Sequence, residues 1–313
     1  MQLVTDPISY RVDDNDKLIV TYTAPIRKFG NLREELLNDA KSISNRFGHV
    51  YVALSSGIDS QTIVRSFIDA GADFTPFFVY SAPFNDNEYC QILECEKFYG
   101  IKVKIIPIDV LSKKDDWMQR KELDKVQTLT HYNMVDACKQ LEGNDPIVMC
   151  GPELHILGNK KLGPICASHN CYKADNLRFR EIRKFRTLID WPSSPESLAS
   201  LYCDDLIQVF MDTKEFFDGN NFIHSSGDIL RPSQSFNNYV KPLLKGKYFK
   251  KDILYFPKST GYENFPDWII KGRIEGRPPI RYDVTVKMID AINHLSLCDG
   301  SQVSYSDFHY RDH

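Results

Sequence analysis

The sequence lacks any apolar run of the length that crosses a membrane, and its first residues, MQLVTDPISYRVDD, lack the basic start and apolar core of a secretory signal. It contains no internal repeat and no low-complexity tract. Neither sign of charge is in large excess, because 39 Lys and Arg face 42 Asp and Glu and leave a net charge of -3. These absences weigh against a membrane protein and a general binder of nucleic acid, and they predict a cytoplasmic protein with no membrane partner.

Signatures of a disulfide framework and of disorder are also missing. The eight cysteines are scattered through 313 residues, which suits reduced thiols better than a disulfide framework. Hydrophobic residues make up 42% and charged residues 26% of the chain, which is the ordinary balance of a globular protein. The length is sufficient for one large domain or two modest ones.

One stretch, HVYVALSSGIDSQTIVRSFIDAG at residues 49–71, combines a strand, a turn and a helix. The apolar run Val50 to Leu54 predicts a buried strand, and the small and polar residues Ser55 to Ser60 predict a loop. Apolar residues then recur at the spacing of one helix face, at Ile63, Val64, Phe67 and Ile68. Gly71 is expected to end this helix.

Such a unit can hold an anion, because a helix start carries unpaired backbone N–H groups and the positive end of the helix dipole. Gly57 would let the backbone approach a phosphate closely, and serine hydroxyls at positions 55, 56 and 60 would add donors. Asp59 would repel a phosphate unless a divalent cation lay between them, so the loop predicts Mg²⁺ together with a nucleotide. The kinase-type pattern GxxxxGK[ST] is absent.

At these residues the chain resembles the PP-loop ATP pyrophosphatases, whose signature SGGxDS ends the first strand of an adenine nucleotide alpha-hydrolase (HUP-like) fold. Here the signature reads SSGIDS, with Ser56 where the first glycine is usual. The resemblance implies that ATP is cleaved between its alpha and beta phosphates and that AMP passes to a substrate oxygen. It also implies that Leu54, Ser55, Ser56, Gly57, Ile58, Asp59 and Ser60 contact the nucleotide.

The remaining pattern predicts an α/β fold with a doubly wound parallel sheet. Residues 1–30 alternate weakly and predict an N-terminal hairpin or edge strand. Asn31 and Glu34 form a capping box before a helix that ends at Gly48. Within a nucleotide-binding core at residues 31–160, we predict further strands at 75–80, 103–108 and 146–150, with helices between them.

Beyond residue 160 the regular alternation stops. The segment Leu177 to Ile189 is interpreted as a basic helix, with Arg178, Arg180 and Arg183 among its cations. Residues 198–217 also have a helical pattern. We therefore expect a smaller, mostly helical region at 161–313 that completes the active site.

Four further positions are candidates for the site, three of them from a closer resemblance to the synthetase domain of asparagine synthetase-type enzymes. Tyr80, at a strand end, could border the adenine. Gly151 and Glu153 resemble that domain's glycine and acidic residues, which implies that Glu153 holds Mg²⁺ with Asp59 or acts on the nucleophile. Lys258, in KSTGY, resembles the lysine that contacts pyrophosphate, where a cation would stabilise departing charge.

The resemblance therefore implies an AMP-forming ligase in which Asp59, Glu153 and Lys258 are catalytic and ATP and Mg²⁺ are required. A carboxylate or carbonyl oxygen would be adenylated and then displaced by an amine or ammonia. The glutaminase domain of that family is absent from this sequence, so free ammonia, a partner glutaminase or an amine on the substrate would supply nitrogen. Two alternatives stay open, namely an RNA-modifying enzyme that binds through Arg178, Arg180 and Arg183, and a nucleotide-binding protein without catalysis.

Overall fold

The structure is a computed structural model that describes residues 7–12, 18–124, 130–150, 155–159, 163–169, 181–207, 222–224, 229–232, 246–256, 264–269 and 282–306. Its strands are β1 Ile8–Val12, β2 Leu18–Thr23, β3 Val50–Ala53, β4 Phe74–Tyr80, β5 Lys104–Pro107, β6 Ile147–Cys150, β7 His155–Asn159, β8 Gly163–His169, β9 Leu188–Trp191, β10 Phe222–His224, β11 Ile229–Pro232, β12 Tyr282–Lys287 and β13 Gln302–Ser306. Its longer helices are α1 Leu32–Phe47, α2 Ile58–Asp69, α3 Asp86–Tyr99, α4 Lys114–Asp124, α5 Thr130–Lys139, α6 Pro195–Tyr202 and α7 Met288–Leu295.

A five-stranded, all-parallel sheet in the order β5-β4-β3-β6-β9 forms the centre of the fold. The register pairs Ala53 with Phe77 on one side of β3 and Val52 with Val148 on the other. β9 extends the sheet beyond β6. With its flanking helices, this arrangement is a mixed α/β architecture compatible with a Rossmann-like fold.

Successive apolar residues of β3 belong to two different clusters of the core. On β3, Val50 and Val52 pack in a cluster with buried residues of α1, α2 and α3. Tyr51, between them, packs with residues of α4 and α5. This period-two alternation follows from the pleat of the strand, and it explains why a strand that is buried on both sides is apolar at successive positions.

The first helix begins as the sequence predicts. Asn31 accepts a hydrogen bond from the Glu34 backbone N–H, and the Glu34 side chain accepts one from the Asn31 N–H. This reciprocal pair satisfies two donors that the helix start would otherwise leave unpaired. The predicted strands at 75–80, 103–108 and 146–150 are also present, as β4, β5 and β6.

The strand order reverses between β3 and β6. The chain runs outward from β3 through β4 to β5 and then returns to place β6 on the other side of β3. In open parallel sheets the crevice at the carboxyl ends of such a strand pair is the usual ligand position. The loop Ser55–Ser60 leaves β3 at that edge.

Two antiparallel sheets complete the described part of the chain. β1 and β2 form the predicted N-terminal hairpin, and β13 pairs with the other edge of β2. The second sheet has the order β10-β11-β7-β8-β12. The prediction of a mostly helical region at 161–313 is therefore wrong for the described residues, which contain six strands beside their helices.

The predicted helix at Leu177 to Ile189 is also corrected. Of this range the structure describes residues 181–189, where a helical turn at 181–183 is followed by β9. Leu188 pairs with Ile147 on β6, so edge pairing to the sheet decides the conformation. Leu188 is buried, and contact with the sheet overrides the helical spacing of the local sequence.

Candidate functional site

The loop Ser55–Ser60 joins the end of β3 to the first turn of α2. Gly57 is the N-cap of α2, and no side chain caps the helix there. Gly57 is exposed, while Ser55, Ser56, Ile58 and Asp59 are half-buried. A helix start without a side-chain cap, at the edge where parallel strands bind ligands, has backbone donors suited to phosphate oxygens.

The hydroxyl of Ser60 holds the loop in shape. Its Oγ accepts a hydrogen bond of 2.9 Å from the Ser55 N–H and lies 2.7 Å from the Ser55 carbonyl oxygen and 3.0 Å from that of Gly57. Ser60 is only 5% exposed. The predicted donor at position 60 is thus used inside the loop, and Gly57 is the exposed residue of the loop.

Ser56, the departure from the SGGxDS pattern, fits this loop without a left-handed backbone. Among the non-glycine residues that the structure describes, positive φ occurs at Cys298 alone. Gly57 has φ -69° and ψ 148°, which any residue can adopt, and an added Cβ would lie 3.2 Å from the Ser55 Oγ. The Ser55 hydroxyl would have to shift slightly to admit such a Cβ, and the backbone conformation requires a glycine neither at position 57 nor at position 56.

Leu54 and Asp59 lie near the two ends of the loop. Leu54 is a core residue whose N–H donates to the Phe77 carbonyl oxygen. Asp59 lies in the first turn of α2. Within the described ranges no group of three or more His, Cys, Asp or Glu residues is arranged to hold a metal. Gly151, Glu153 and Lys258 lie outside the described residues.

Tyr80 ends β4 near the same edge of the sheet. Its hydroxyl donates a 2.8 Å hydrogen bond to Asp86, and its ring stacks on Tyr89 at 4.5 Å between centroids. The hydrogen bond to Asp86 raises the pKa of the Tyr80 phenol. The ring is thus fixed by contacts with α3, and its predicted contact with an adenine stays a prediction.

Gln61 is the site residue that the sequence interpretation missed. It is 0% exposed, and its Nε2 donates to the carbonyl oxygens of Ser56 at 2.7 Å and Leu254 at 3.0 Å. Its Oε1 accepts from the Leu254 N–H at 2.8 Å and the Tyr99 hydroxyl at 2.9 Å. The sequence feature that could have indicated a buried Gln61 is its spacing. Gln61 precedes Val64 and Ile68 at helical intervals and therefore lies on the apolar face of α2.

The segment 246–256 is held against the same face of the core. Arg33 on α1 donates to the Tyr248 carbonyl oxygen at 3.0 Å and to Asp252 at 2.6 Å. Phe249 and Ile253 are buried in the cluster with α1, α2 and α3. Polar and apolar contacts together place this C-terminal segment beside the loop that follows β3.

The cations of the segment 178–186 do not form an open groove where they are described. Arg183 pairs with Asp190 at 3.0 Å. Arg186 is 8% exposed, and its guanidinium donates to the carbonyl oxygens of Leu141 and Gly143. Arg178 and Arg180 lie outside the described residues.

A separate open cleft of about 370 Å³ lies between α4 and α5. It is lined by Lys113, Asp116, Arg120, Asp136, Lys139 and Gln140. Arg120 pairs with Asp136 at 2.9 Å and with Asp116 at 3.3 Å, so much of its charge is already compensated. The lining of this cleft therefore carries both signs of charge.

Comparisons with known proteins leave the site to be interpreted from its geometry. No protein-family model matches the chain, and no curated protein matches it. None of the helices in the described ranges has the length and apolar character needed to cross a bilayer.

Proposed function

We propose that this chain is an ATP-dependent ligase that forms AMP and pyrophosphate, on a doubly wound sheet of the adenine nucleotide alpha-hydrolase (HUP-like) kind. The observation that carries the proposal is the position of the loop Ser55–Ser60. It lies where the strand order reverses and leads into α2, which no side chain caps at Gly57. A helix start without a side-chain cap at such a position favours a triphosphate.

In the proposed reaction, a carboxylate or carbonyl oxygen of a small substrate attacks the alpha phosphorus of ATP. The bond from that phosphorus to the oxygen bridging the beta phosphate breaks, and pyrophosphate leaves with the electron pair. An amine or ammonia then attacks the activated carbon, loses a proton and releases AMP. For a carboxylate, the products are an amide, AMP and pyrophosphate. Alignment of the reactants can contribute roughly 7 kcal/mol or more in favourable cases.

The residues have separate roles in this proposal. Asp59 supplies a carboxylate oxygen, the ligand type that Mg²⁺ prefers, and Glu153 is proposed as the second acid, which holds the metal or accepts the amine proton. Mg²⁺, when bound, would neutralise phosphate charge. Lys258 is proposed to stabilise the departing pyrophosphate, and Gly151 and Tyr80 to border the nucleotide.

Chain length supports the role of Lys258. The described segment passes Leu254, whose backbone lies within 3.0 Å of the Gln61 side chain. Three residues lie between Leu254 and Lys258, and the four steps from one Cα to the next span at most about 14 Å. A lysine at position 258 is therefore within reach of a triphosphate on the loop.

The test uses ATP labelled at the alpha phosphate, with Mg²⁺ and mixtures of small carboxylic acids with ammonium or amines. We expect labelled AMP to appear only when both an acid and a nitrogen source are present. Asp59→Asn should lose this activity, while Asp115→Asn, which removes an exposed acid from the first turn of α4, should keep it.

Two outcomes would contradict the ligase assignment. Label that appears in ADP would show transfer of the terminal phosphoryl group. Calorimetric binding of Mg²⁺ and ATP without cleavage in any mixture would show a nucleotide-binding protein that lacks catalysis. A partner glutaminase would be indicated if only ammonium, and no amine, supports the reaction.

A further inference from the structure

The side-chain amide of Gln61 has one orientation in this structure that satisfies its neighbours. An amide has two N–H donors and an oxygen with two lone pairs, and Gln61 uses all of them in the bonds to Ser56, Leu254 and Tyr99. A flipped amide would place its oxygen against the two carbonyl oxygens and its N–H groups against the Leu254 N–H. The surroundings therefore fix Gln61 firmly.

The orientation of Gln61 fixes the peptide between Ser56 and Gly57 in the loop Ser55–Ser60, which is called the phosphate loop below. The Ser56 carbonyl oxygen turns inward to Gln61 at 2.7 Å. Because the peptide group is planar and trans, the N–H of Gly57 then points the opposite way. That N–H donates to the Ser55 Oγ at 3.2 Å, a long hydrogen bond near the loop surface that a phosphate oxygen could replace.

The same amide fixes the C-terminal segment. The Gln61 amide forms two hydrogen bonds with the Leu254 backbone, as a residue of a neighbouring β-strand would. Here the donor and the acceptor belong to a side chain and not to a backbone. Arg33 anchors the segment further back, at Tyr248 and Asp252. Gln61 is thus a direct polar connection between Leu254 and the loop at Ser56.

We propose that Gln61 is a positioning residue that sets the phosphate loop and the segment 246–256 relative to each other, so that both act on one bound triphosphate. The inference rests on the proposed function. Binding of ATP on the loop should then stabilise the contact at Leu254, and a stable contact should tighten ATP binding by the same factor.

The first test measures binding of Mg²⁺ and ATP by calorimetry, with folding checked by circular dichroism. We expect Gln61→Leu to weaken ATP binding about tenfold, which corresponds to about 1.4 kcal/mol. Thr62→Val is the matched control, because Thr62 is 2% exposed and its hydroxyl bonds within α2, to the Ile58 carbonyl oxygen. Its dissociation constant should stay within about twofold of the wild-type value, since it connects no second element.

The second test follows hydrogen exchange at the Leu254 amide, which donates to Gln61. We expect ATP to slow this exchange in the wild type and in Thr62→Val, and to leave it unchanged in Gln61→Leu. Gln61→Glu gives a further readout: its ATP affinity relative to the wild type should recover as pH falls, because only the protonated carboxyl can donate to a carbonyl oxygen.

The outcomes separate the two proposals. Failure of the wild type to bind ATP would overturn the proposed function and the role of Gln61 with it. Wild-type affinity in folded Gln61→Leu would overturn only the role of Gln61. Equal loss of ATP affinity in Gln61→Leu and Thr62→Val would also overturn that role, because it would show that Gln61 acts only by stabilising α2.

Discussion

The carboxyl group of Asp39 on α1 accepts a 2.9 Å hydrogen bond from the backbone N–H of Ser193, which follows the last strand of the parallel sheet. Asp39 is 5% exposed. Burial raises the pKa of this carboxyl above its ordinary value, and hydrogen bonds from Ser194, Ser197 and Ser193 offset the effect only in part. A buried acid thus joins α1 to the chain that leads into α6.

The raised pKa of Asp39 predicts how stability changes with pH. The folded protein retains the Asp39 proton above the pH at which the unfolded chain releases it, which is about 3.9. The contribution of this group is therefore complete below that pH and is lost as pH rises towards the folded pKa, with a slope of up to about 1.4 kcal/mol per pH unit. Asp39→Asn, which cannot ionise, should gain stability relative to the wild type as pH rises.

Urea unfolding between pH 4 and pH 8 measures this difference. Asp39→Ala is the matched variant, because it removes the same charge but leaves the Ser193 N–H without its acceptor. Asp39→Ala should be less stable than Asp39→Asn by about 1–3 kcal/mol at every pH in this range. Parallel stability curves for the wild type and Asp39→Asn would contradict the prediction.

Arg33 connects α1 to two other parts of the core. It donates to Asp69 at the end of α2 at 2.7 Å and to Asp252 at 2.6 Å, and its guanidinium lies 5.2 Å from the Phe249 ring centroid. Arg33→Met should lower the free energy of unfolding by about 1–2 kcal/mol, a value reduced for the partial exposure of the side chain. Lys104 forms an ion pair with the exposed Glu142, and Lys104→Met should change the free energy of unfolding by less than about 0.5 kcal/mol.

The effect of Arg33 should depend on pH in the opposite sense to that of Asp39. Burial raises the pKa of Asp69, but hydrogen bonds from Arg65 and Arg33 outweigh it, and the pKa lies below the ordinary value. The interaction is therefore present above the unfolded pKa and is lost as pH falls through the folded one. The difference between the wild type and Arg33→Met should shrink in urea unfolding at pH 2–3 and persist at pH 7.

Ser56 can be tested against the glycine of the family pattern. Because the Ser56 backbone does not adopt positive φ, Ser56→Gly relieves no strain and adds freedom to the unfolded chain. We expect a loss of about 0.4–1 kcal/mol in the free energy of unfolding and a change in ATP affinity of less than about twofold. A large gain in affinity would show that the serine distorts the loop.

Two cysteines on α3 should differ in reactivity. Cys90 is exposed, whereas Cys95 is buried. Burial raises the pKa of the Cys95 thiol to about 12, so almost no thiolate forms at pH 8. Iodoacetamide followed by mass spectrometry should label Cys90 in the native protein and Cys95 only after unfolding in urea. Early labelling of Cys95 would show that α3 opens readily.

Local patterns predicted the elements whose signals lie within a few residues. The capping box of Asn31 and Glu34 located the start of α1, and the apolar run before Ser55 located β3. Gly100, in the left-handed conformation, ends α3. Each of these signals depends on backbone conformation or on neighbouring side chains, which the sequence places together by itself.

Pairing between distant segments was not predictable in the same way. β9 forms because its residues reach the edge of β6, and the local spacing of the 177–189 segment favoured a helix instead. The second antiparallel sheet joins β8 to β12, strands separated by more than a hundred residues. Short strands have weak local signals, and contact with a neighbouring strand decides them.

The strand, loop and helix at residues 50–69 and the polar character of the loop follow from local sequence, because periodicity and turn residues act over short distances. The connection of Ser56 with Leu254 through Gln61 depends instead on the folded chain, because Leu254 lies 193 residues beyond Gln61. A glutamine on an apolar helix face has four hydrogen-bonding positions to satisfy on burial, and only the folded chain brings suitable partners to it.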